Sequence, residues 1–154
     1  MLLNSKSFQT GGQCILSLEQ PEGWLRATWS GYITPDDALS GASGYLARVG
    51  PFHNLYLLND NTDLRGPWFD SLEWLDQVWL PQAIRLGLRY IAHVVQTDTH
   101  TDILTLTYPA PITDELELQL FDDVASAQDW LRACQQPLAA QQPQQQSQQP
   151  LRRS

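Results

Sequence analysis

The length, composition and charge of the chain limit the classes of function open to it. Its 154 residues, 42% of them hydrophobic, are enough for one globular domain with an apolar core. The formal charge of −8 argues against nucleic acid or an anionic membrane as the main partner, because both attract basic surfaces. No apolar run approaches the roughly 20 residues that span a bilayer, and no secretory signal is evident. We therefore expect a cytoplasmic protein without membrane insertion.

The composition of the chain changes at residue 135. Segment 135–154 is rich in Gln and Pro and contains no aromatic residue. Such a segment buries too little apolar surface to offset its loss of conformational entropy, so we predict a disordered tail. We assign residues 1–13 to an N-terminal extension and residues 14–134 to a single domain.

Hydrophobic patterns and turn residues predict alternating strands and helices within this domain. Two β-prone runs, 14–19 and 24–33, are joined by a short turn and predict an antiparallel hairpin. In the second run, the alternation of residues places Trp29 on the same face as Leu25 and Ala27. Thr34 and Pro35 predict the start of a helix that runs to about residue 49. Within it, Gly41 and Gly44 are destabilising unless they permit close packing.

The remaining elements follow in the same alternating order. They are a buried strand at 54–58, a helix from about residue 68 that breaks near Pro81, a buried strand at 90–96, a short irregular helix at 101–108, a strand at 116–121 and a helix capped by Asp122. This order predicts an α/β domain with a mixed sheet of about five strands, in which a β-hairpin is followed by parallel strands with helical crossovers.

No motif in the sequence indicates catalysis. The patterns typical of hydrolases, phosphate-binding loops, dinucleotide-binding loops and zinc sites are missing from the chain. His93 lies in the middle of a predicted strand, where a packed imidazole is commoner than a ligand. Cys14 and Cys134 are far apart in the sequence, so we interpret them as buried or half-buried thiols. We predict no catalytic residue, no metal site and no cofactor.

A cluster of acids and amides follows the predicted strand 54–58. In open α/β sheets, ligands bind beyond the carboxyl ends of the strands, and this cluster is expected to lie there. One interpretation is that its short polar side chains satisfy loop backbone groups and cap the next helix. The other is that it forms a surface for a protein partner. The predicted partner-binding residues are Asn59, Asp60, Asn61, Asp63 and Trp68.

Four blocks of the sequence resemble a known group of small bacterial proteins. They are Trp29-Ser30-Gly31-Tyr32-Ile33-Thr34, Leu57-Leu58-Asn59-Asp60-Asn61, Trp79-Leu80-Pro81-Gln82-Ala83 with Gly87-Leu88-Arg89-Tyr90-Ile91-Ala92, and Phe121-Asp122-Asp123 with Ala127 and Trp130-Leu131. Together they look like the SpoIIAA-like proteins of the STAS (sulphate transporter and anti-sigma-factor antagonist) superfamily. The resemblance covers residues 14–134 and implies a mixed sheet flanked by helices with a non-enzymatic, regulatory or binding role.

The chain departs from that family at the residues that carry its phosphorylation switch. Anti-sigma-factor antagonists have a phosphorylated serine in an Asp-Ser-Ser-Gly type motif after the third strand. The corresponding segment here offers only the hydroxyl of Thr62, between Asp60 and Asp63. Because like charges oppose a phosphate at that position, we expect a binding module without the phosphoserine switch.

A second function from another class remains open. The Trp-rich helix and the sheet are expected to pack together, and an apolar ligand or lipid would fit between them. In this alternative the protein is a carrier whose pocket is lined by Trp68, Trp74, Leu75 and Trp79. At helical spacing, such a stripe of apolar residues is more often part of the core.

The predicted tail leads to a direct test of the domain boundary. We expect removal of residues 138–154 to leave the melting temperature nearly unchanged, because a segment of that composition buries little surface. Thermal unfolding followed by circular dichroism measures this. A decrease of several degrees would show that the tail packs against the domain.

Overall fold

The computed structural model describes residues 1–49, 54–66, 75–95 and 116–136, and for residues 75 and 76 only the backbone. These ranges contain six strands, three α-helices and one π-helical turn. Their bounds in chain order are β1 Leu2–Ser7, β2 Gln13–Leu18, β3 Leu25–Tyr32, α1 Pro35–Val49, β4 Tyr56–Arg65, the π-helical turn Leu75–Trp79, α2 Leu80–Arg85, β5 Tyr90–Val94, β6 Glu117–Phe121 and α3 Val124–Cys134. No helix within them has the length and apolar character needed to cross a membrane.

The six strands form one sheet in the order in which they occur in the chain. Strand β2 is antiparallel to both of its neighbours, β1 and β3, and β3, β4, β5 and β6 are mutually parallel. Helices α1 and α2 pack on one face of the sheet, and α3 packs on the other. The predicted α/β class, with a hairpin first and parallel strands after it, is therefore confirmed.

The sheet has one strand more than the five that the sequence predicted. Strand β1 lies within the segment 1–13 and pairs with β2 from Leu2 opposite Ser17 to Ser7 opposite Gln13. It is an edge strand, and its polar side chains give it no hydrophobic alternation. Alternation of apolar and polar residues indicates a strand only when one face of the strand is buried, so the sequence pattern did not predict β1.

Several predicted boundaries are shifted by one or a few residues. The N-cap of α3 is Asp123 rather than the predicted Asp122, since the Asp123 carboxylate accepts a hydrogen bond of 2.7 Å from the Ser126 N–H. The predicted break near Pro81 corresponds to the change from π-helical to α-helical geometry at Leu80. The predicted helix at 101–108 and the start of the helix near residue 68 lie outside the described residues.

Helix α1 begins as predicted and packs very closely on the sheet. Thr34 and Asp37 form a capping box, in which each side chain accepts a hydrogen bond from the backbone N–H of the other. Further along the helix, a Cβ at Gly41 would lie only 2.3 Å from the Trp29 ring. Close packing on Trp29 therefore requires a glycine at position 41. The sequence analysis named close packing as the reason for which a helix would contain this glycine.

The two helical glycines give a matched pair of substitutions. We expect Gly41→Ala to lower the free energy of unfolding by about 1–3 kcal/mol, because its methyl group overlaps Trp29 in a packed core. A Cβ at Gly44 would meet only the flexible amide end of Asn4. Gly44→Ala should therefore retain or raise stability, with up to about 1 kcal/mol from helix propensity.

Urea unfolding of the two variants and the parent protein measures both effects. Equal stabilities of the two variants would contradict the packing of α1 on Trp29.

Candidate functional site

The predicted acid-amide cluster lies inside a strand and not in a loop. Strand β4 does not end at residue 58 but continues to Arg65, so that Asn59, Asp60, Asn61 and Asp63 are all part of it. The prediction that these residues follow the strand was wrong. Pairing with β3 continues to Tyr32 opposite Arg65 and satisfies the backbone of β4. The side chains of Asn59, Asp60 and Asn61 are hydrogen-bonded inside the protein, so they do not terminate the strand.

A β-bulge divides the cluster into an inner and an outer part. Thr28 pairs with Asp60 and Ser30 with Asp63, so two residues of β4 lie opposite the single residue Trp29. Asp60 and Asn61 are buried, with 6% and 2% of their surface exposed, and Asn59 is half-buried.

On the outer side of the bulge, Asp63 is exposed. Trp68 lies outside the described residues. Asp63 is thus the one exposed member of the predicted partner-binding set within the part of the chain that the structure describes.

A chain of hydrogen bonds runs below α1 across three strands. The Trp29 indole N–H of β3 donates to Asn59 Oδ1 at 2.9 Å, and Asn59 Nδ2 lies 3.2 Å from His93 Nδ1 on β5. Asn61 Nδ2 lies 3.1 Å from His93 Nε2 and donates to the Val94 carbonyl at 3.1 Å. These four side chains form the buried polar network of the sheet: Trp29, Asn59, Asn61 and His93.

The network disfavours a positively charged imidazole. The Trp29 N–H donates to Oδ1 of Asn59, and Nδ2 of Asn61 donates to the Val94 carbonyl. These two bonds set the orientation of both amides, so that each amide directs an N–H group at His93. A neutral imidazole accepts a hydrogen bond from one of these N–H groups at its unprotonated nitrogen, whereas imidazolium, with a hydrogen on each ring nitrogen, accepts none. Burial lowers the pKa of His93 to about 4, in the same direction. His93 is a packed imidazole, as the sequence analysis predicted.

The opposite face of β4 carries an ion-pair cluster. Arg26 of β3 donates to Asp60 Oδ2 at 2.7 Å and also contacts Glu19 Oε2 at 3.3 Å. The other oxygen, Asp60 Oδ1, accepts hydrogen bonds from the N–H and the hydroxyl of Thr62 at 3.0 and 2.6 Å. Burial tends to raise the pKa of Asp60, but the hydrogen bonds from Thr62 and Arg26 outweigh it and hold that pKa below its usual value.

Asp60 is therefore fully engaged within the fold. Its two oxygens join β3 to β4 and also satisfy the Thr62 N–H in the bulge. The burial of this carboxylate, together with these bonds, leaves little of it accessible at the protein surface.

The exposed end of the β3–β4 pair forms a distinct surface. The pairing of β4 with β5 ends at Asp60 opposite Val94, whereas β3 and β4 remain paired for several more residues. The exposed side chains of this extension are Tyr32, Asp63 and Arg65, which we call the ribbon tip. Tyr32 has 46% of its surface exposed. Gly66, with φ of +101°, turns the chain directly beside the Tyr32 ring.

Of the residues predicted to line a pocket, only Trp79 is described with its side chain. It is buried in the core, its indole N–H donates to the Ala42 carbonyl of α1 at 2.8 Å, and its ring centroid lies 5.3 Å from that of Tyr45. Trp68 and Trp74, and the side chain of Leu75, lie outside the described residues.

The sequence analysis missed Arg26 and Tyr32. Strand alternation places Arg26 on the face opposite Trp29, and a single Arg there, followed by an acid on the next parallel strand, is the pattern that could have indicated the ion pair. Tyr32 ends a strand directly before a helix start, and that position gave no signal of its exposure.

Comparisons with known proteins find a similar solved structure. No protein-family model matches the chain, and no curated protein matches it. The chain is similar to the crystal structure of an uncharacterised DUF3478-family protein from Shewanella loihica with a SpoIIAA-like fold. The identity is 20%, the TM-score is 0.49, and the similarity covers 82% of this chain and 98% of the other.

At 20% identity the likeness concerns the fold alone. The assignment to the α/β class rests on the strand order and the helix positions of this chain.

The burial of His93 predicts a specific dependence of stability on pH. The unfolded chain binds a proton at this residue near pH 6.5, and the folded protein does so only near pH 4. Stability should therefore fall as the pH is lowered through this interval, by up to about 3 kcal/mol. We expect His93→Gln to show a smaller loss over the same interval. Urea unfolding at a series of pH values provides the measurement, and identical pH slopes for the two proteins would contradict this role of His93.

Proposed function

We propose that the protein is a non-enzymatic binding module that contacts a protein partner through the ribbon tip. The observation that carries this proposal is the exposure of Tyr32, Asp63 and Arg65 together at the end of the paired strands. Tyr and Arg are enriched among the residues that contribute most to the free energy of protein–protein binding. Tyr32 offers a large flat surface, and Asp63 and Arg65 offer charges that select a complementary partner.

The interior of the protein supports this surface. Arg26 and Asp60 join β3 to β4 below the tip, and the buried polar network joins β4 to β5. A contact surface held in one conformation loses less conformational entropy on binding, which favours affinity. This is a role for the buried members of the predicted cluster: they position the tip and leave the contact with the partner to Asp63.

The charge of the tip differs from the one that the sequence suggested. Asp60 and Asp63 in a loop would have formed an acidic surface. In the structure, Asp60 is paired with Arg26, while Asp63 and Arg65 carry opposite charges at the tip. We infer that the partner presents an apolar or aromatic contact for Tyr32 with charges of both signs around it.

Affinity purification from extracts of the native cells tests the proposal. We expect Tyr32→Ala and Asp63→Lys each to reduce recovery of the partner several-fold, the first through lost contact area and the second through reversed charge. The effect of Asp63→Lys should be larger at low salt, where surface charges are least screened.

The matched control is Asp129→Lys, which reverses an exposed acid on α3, on the other side of the sheet from α1. This variant should recover the partner as the parent protein does. Proteins whose recovery falls equally with Asp129→Lys are bound by overall charge. If no protein depends on Tyr32 and Asp63 more than on Asp129, the ribbon tip is not the contact surface.

A further inference from the structure

Strand β1 leaves backbone hydrogen-bonding groups unpaired along one edge of the sheet. Among the described strands it pairs only with β2. The Phe8 N–H donates to the Gly12 carbonyl, and the bonded pairs of an antiparallel ladder alternate along the two strands. Lys6 therefore bonds to β2, whereas Ser5 and Ser7 direct their N–H and C=O groups away from it. Such an edge is a template for pairing with another strand.

The rest of the fold holds this edge in an extended conformation. At one end, the Met1 carbonyl accepts a hydrogen bond of 2.8 Å from the Leu18 N–H. Further along, Leu3 packs against the core below α1, and a Cβ at Gly44 of α1 would lie 3.0 Å from Asn4 Nδ2. Because the strand is already ordered, it loses little conformational entropy when it pairs with another strand.

The two most exposed large apolar side chains among the described residues lie at the start of this edge. Met1 and Leu2 have 62% and 63% of their surface exposed. A strand paired along β1 would cover part of this surface, and the burial of apolar surface favours association.

The distribution of charge indicates a second copy of the chain as the occupant of the edge. Residues 1–18, which include β1 and β2, contain one Lys and no Asp or Glu, so all acidic side chains lie in the rest of the chain. Two copies with a net charge of −8 repel each other over most of their surface and least at this edge. Antiparallel pairing of identical strands also has two-fold symmetry, so each copy offers the other the groups that it needs.

We propose that two copies of the protein associate by antiparallel pairing of β1 with β1, in the register that places Ser5 opposite Ser5. In this register, Ser5 of each copy donates one backbone hydrogen bond and accepts another across the two-fold axis. Lys6 lies opposite Asn4 of the other copy, whereas a register centred on Lys6 would bring two like charges together. The two sheets become continuous, with both copies of α1 on the same face. The contact uses none of the ribbon-tip residues, so it does not depend on the proposed function.

Sedimentation velocity of the full-length protein over a range of concentrations tests the association. Pairing of one strand is a small interface, so we expect the parent protein to change from monomer to dimer between micromolar and millimolar concentrations. Ser5→Pro removes an N–H that points away from β2, a position at which an edge strand tolerates proline. It should weaken the dimer about tenfold or more, because each copy loses one bond. The matched control is Ser5→Ala, which keeps the N–H and should associate as the parent protein does.

Two cysteine variants test the register of the pairing. Opposite residues of a bonded pair have Cα atoms about 5.5 Å apart, which a disulfide can span, so Ser5→Cys should form a disulfide between copies under mild oxidation. Ser7→Cys should not, because the two copies of this residue would lie more than about 10 Å apart along the strands. Electrophoresis without reductant measures the cross-linked fraction, and the parent protein, with Cys14 and Cys134, gives the background.

Four results would each overturn the proposal. They are a parent protein that stays monomeric, a mass that grows beyond the dimer with concentration, equal association of Ser5→Pro and Ser5→Ala, and a Ser5→Cys variant that cross-links no more than Ser7→Cys. A monomeric parent protein would leave the edge to a strand of another protein or to solvent. If Ser5→Pro melts at a lower temperature than Ser5→Ala, the two cysteine variants decide the outcome.

Discussion

The indole of Trp29 lies where helix α1 meets strands β3 and β4, and the rest of the site depends on its position. One side of the ring is so close to α1 that only Gly41 fits above it. Its N–H is bonded to Asn59, which in turn contacts His93 on the next strand. The same residue lies opposite the β-bulge that turns Asn61 inward. Close packing, a buried hydrogen-bond network and a local change of register thus meet at a single side chain.

Strand β4 carries polar residues on both faces at the centre of the sheet, and each set has its own partners. Asn59 is bonded below α1, and Asp60 is bonded to Arg26 on the opposite face. A shift in register by one residue would exchange these faces and bury Asp60 next to Trp29, with its charge unpaired. These pairs add little to the free energy of folding, because the desolvation of buried polar groups offsets much of the gain from pairing them. Their larger effect is to disfavour pairing of β4 in an incorrect register.

The sequence predicted those parts of the fold that arise from burial and from local turn chemistry. Leu25, Ala27 and Trp29 share a face, α1 begins at Pro35, and His93 is packed in a strand, all as predicted. Strand β1 was missed because polar edge strands lack a hydrophobic period. The placement of residues 59–63 in a loop was wrong for a related reason: Asn and Asp are typical of loops, and nothing local reveals that Arg26, Trp29 and His93 bond to three of them. Long-range pairing decides their structure.

The geometry around Thr62 determines what phosphorylation of this residue would do to the strand. In the family that the sequence resembles, the switch serine opens a helix, whereas Thr62 lies within β4. The N–H and the hydroxyl of Thr62 both donate to Asp60 Oδ1. In the bulge, the Asp60 side chain thus accepts the backbone hydrogen bond that a neighbouring strand accepts elsewhere in the sheet. A phosphate on Thr62 would replace this donor with about two negative charges next to Asp60, whose cation is already shared with Glu19. The bulge would then lose the hydroxyl bond to Asp60, and the like charges would oppose the remaining bond from the Thr62 N–H. At this site, phosphorylation would therefore act by disrupting the strand itself, not by switching an exposed surface between two stable states.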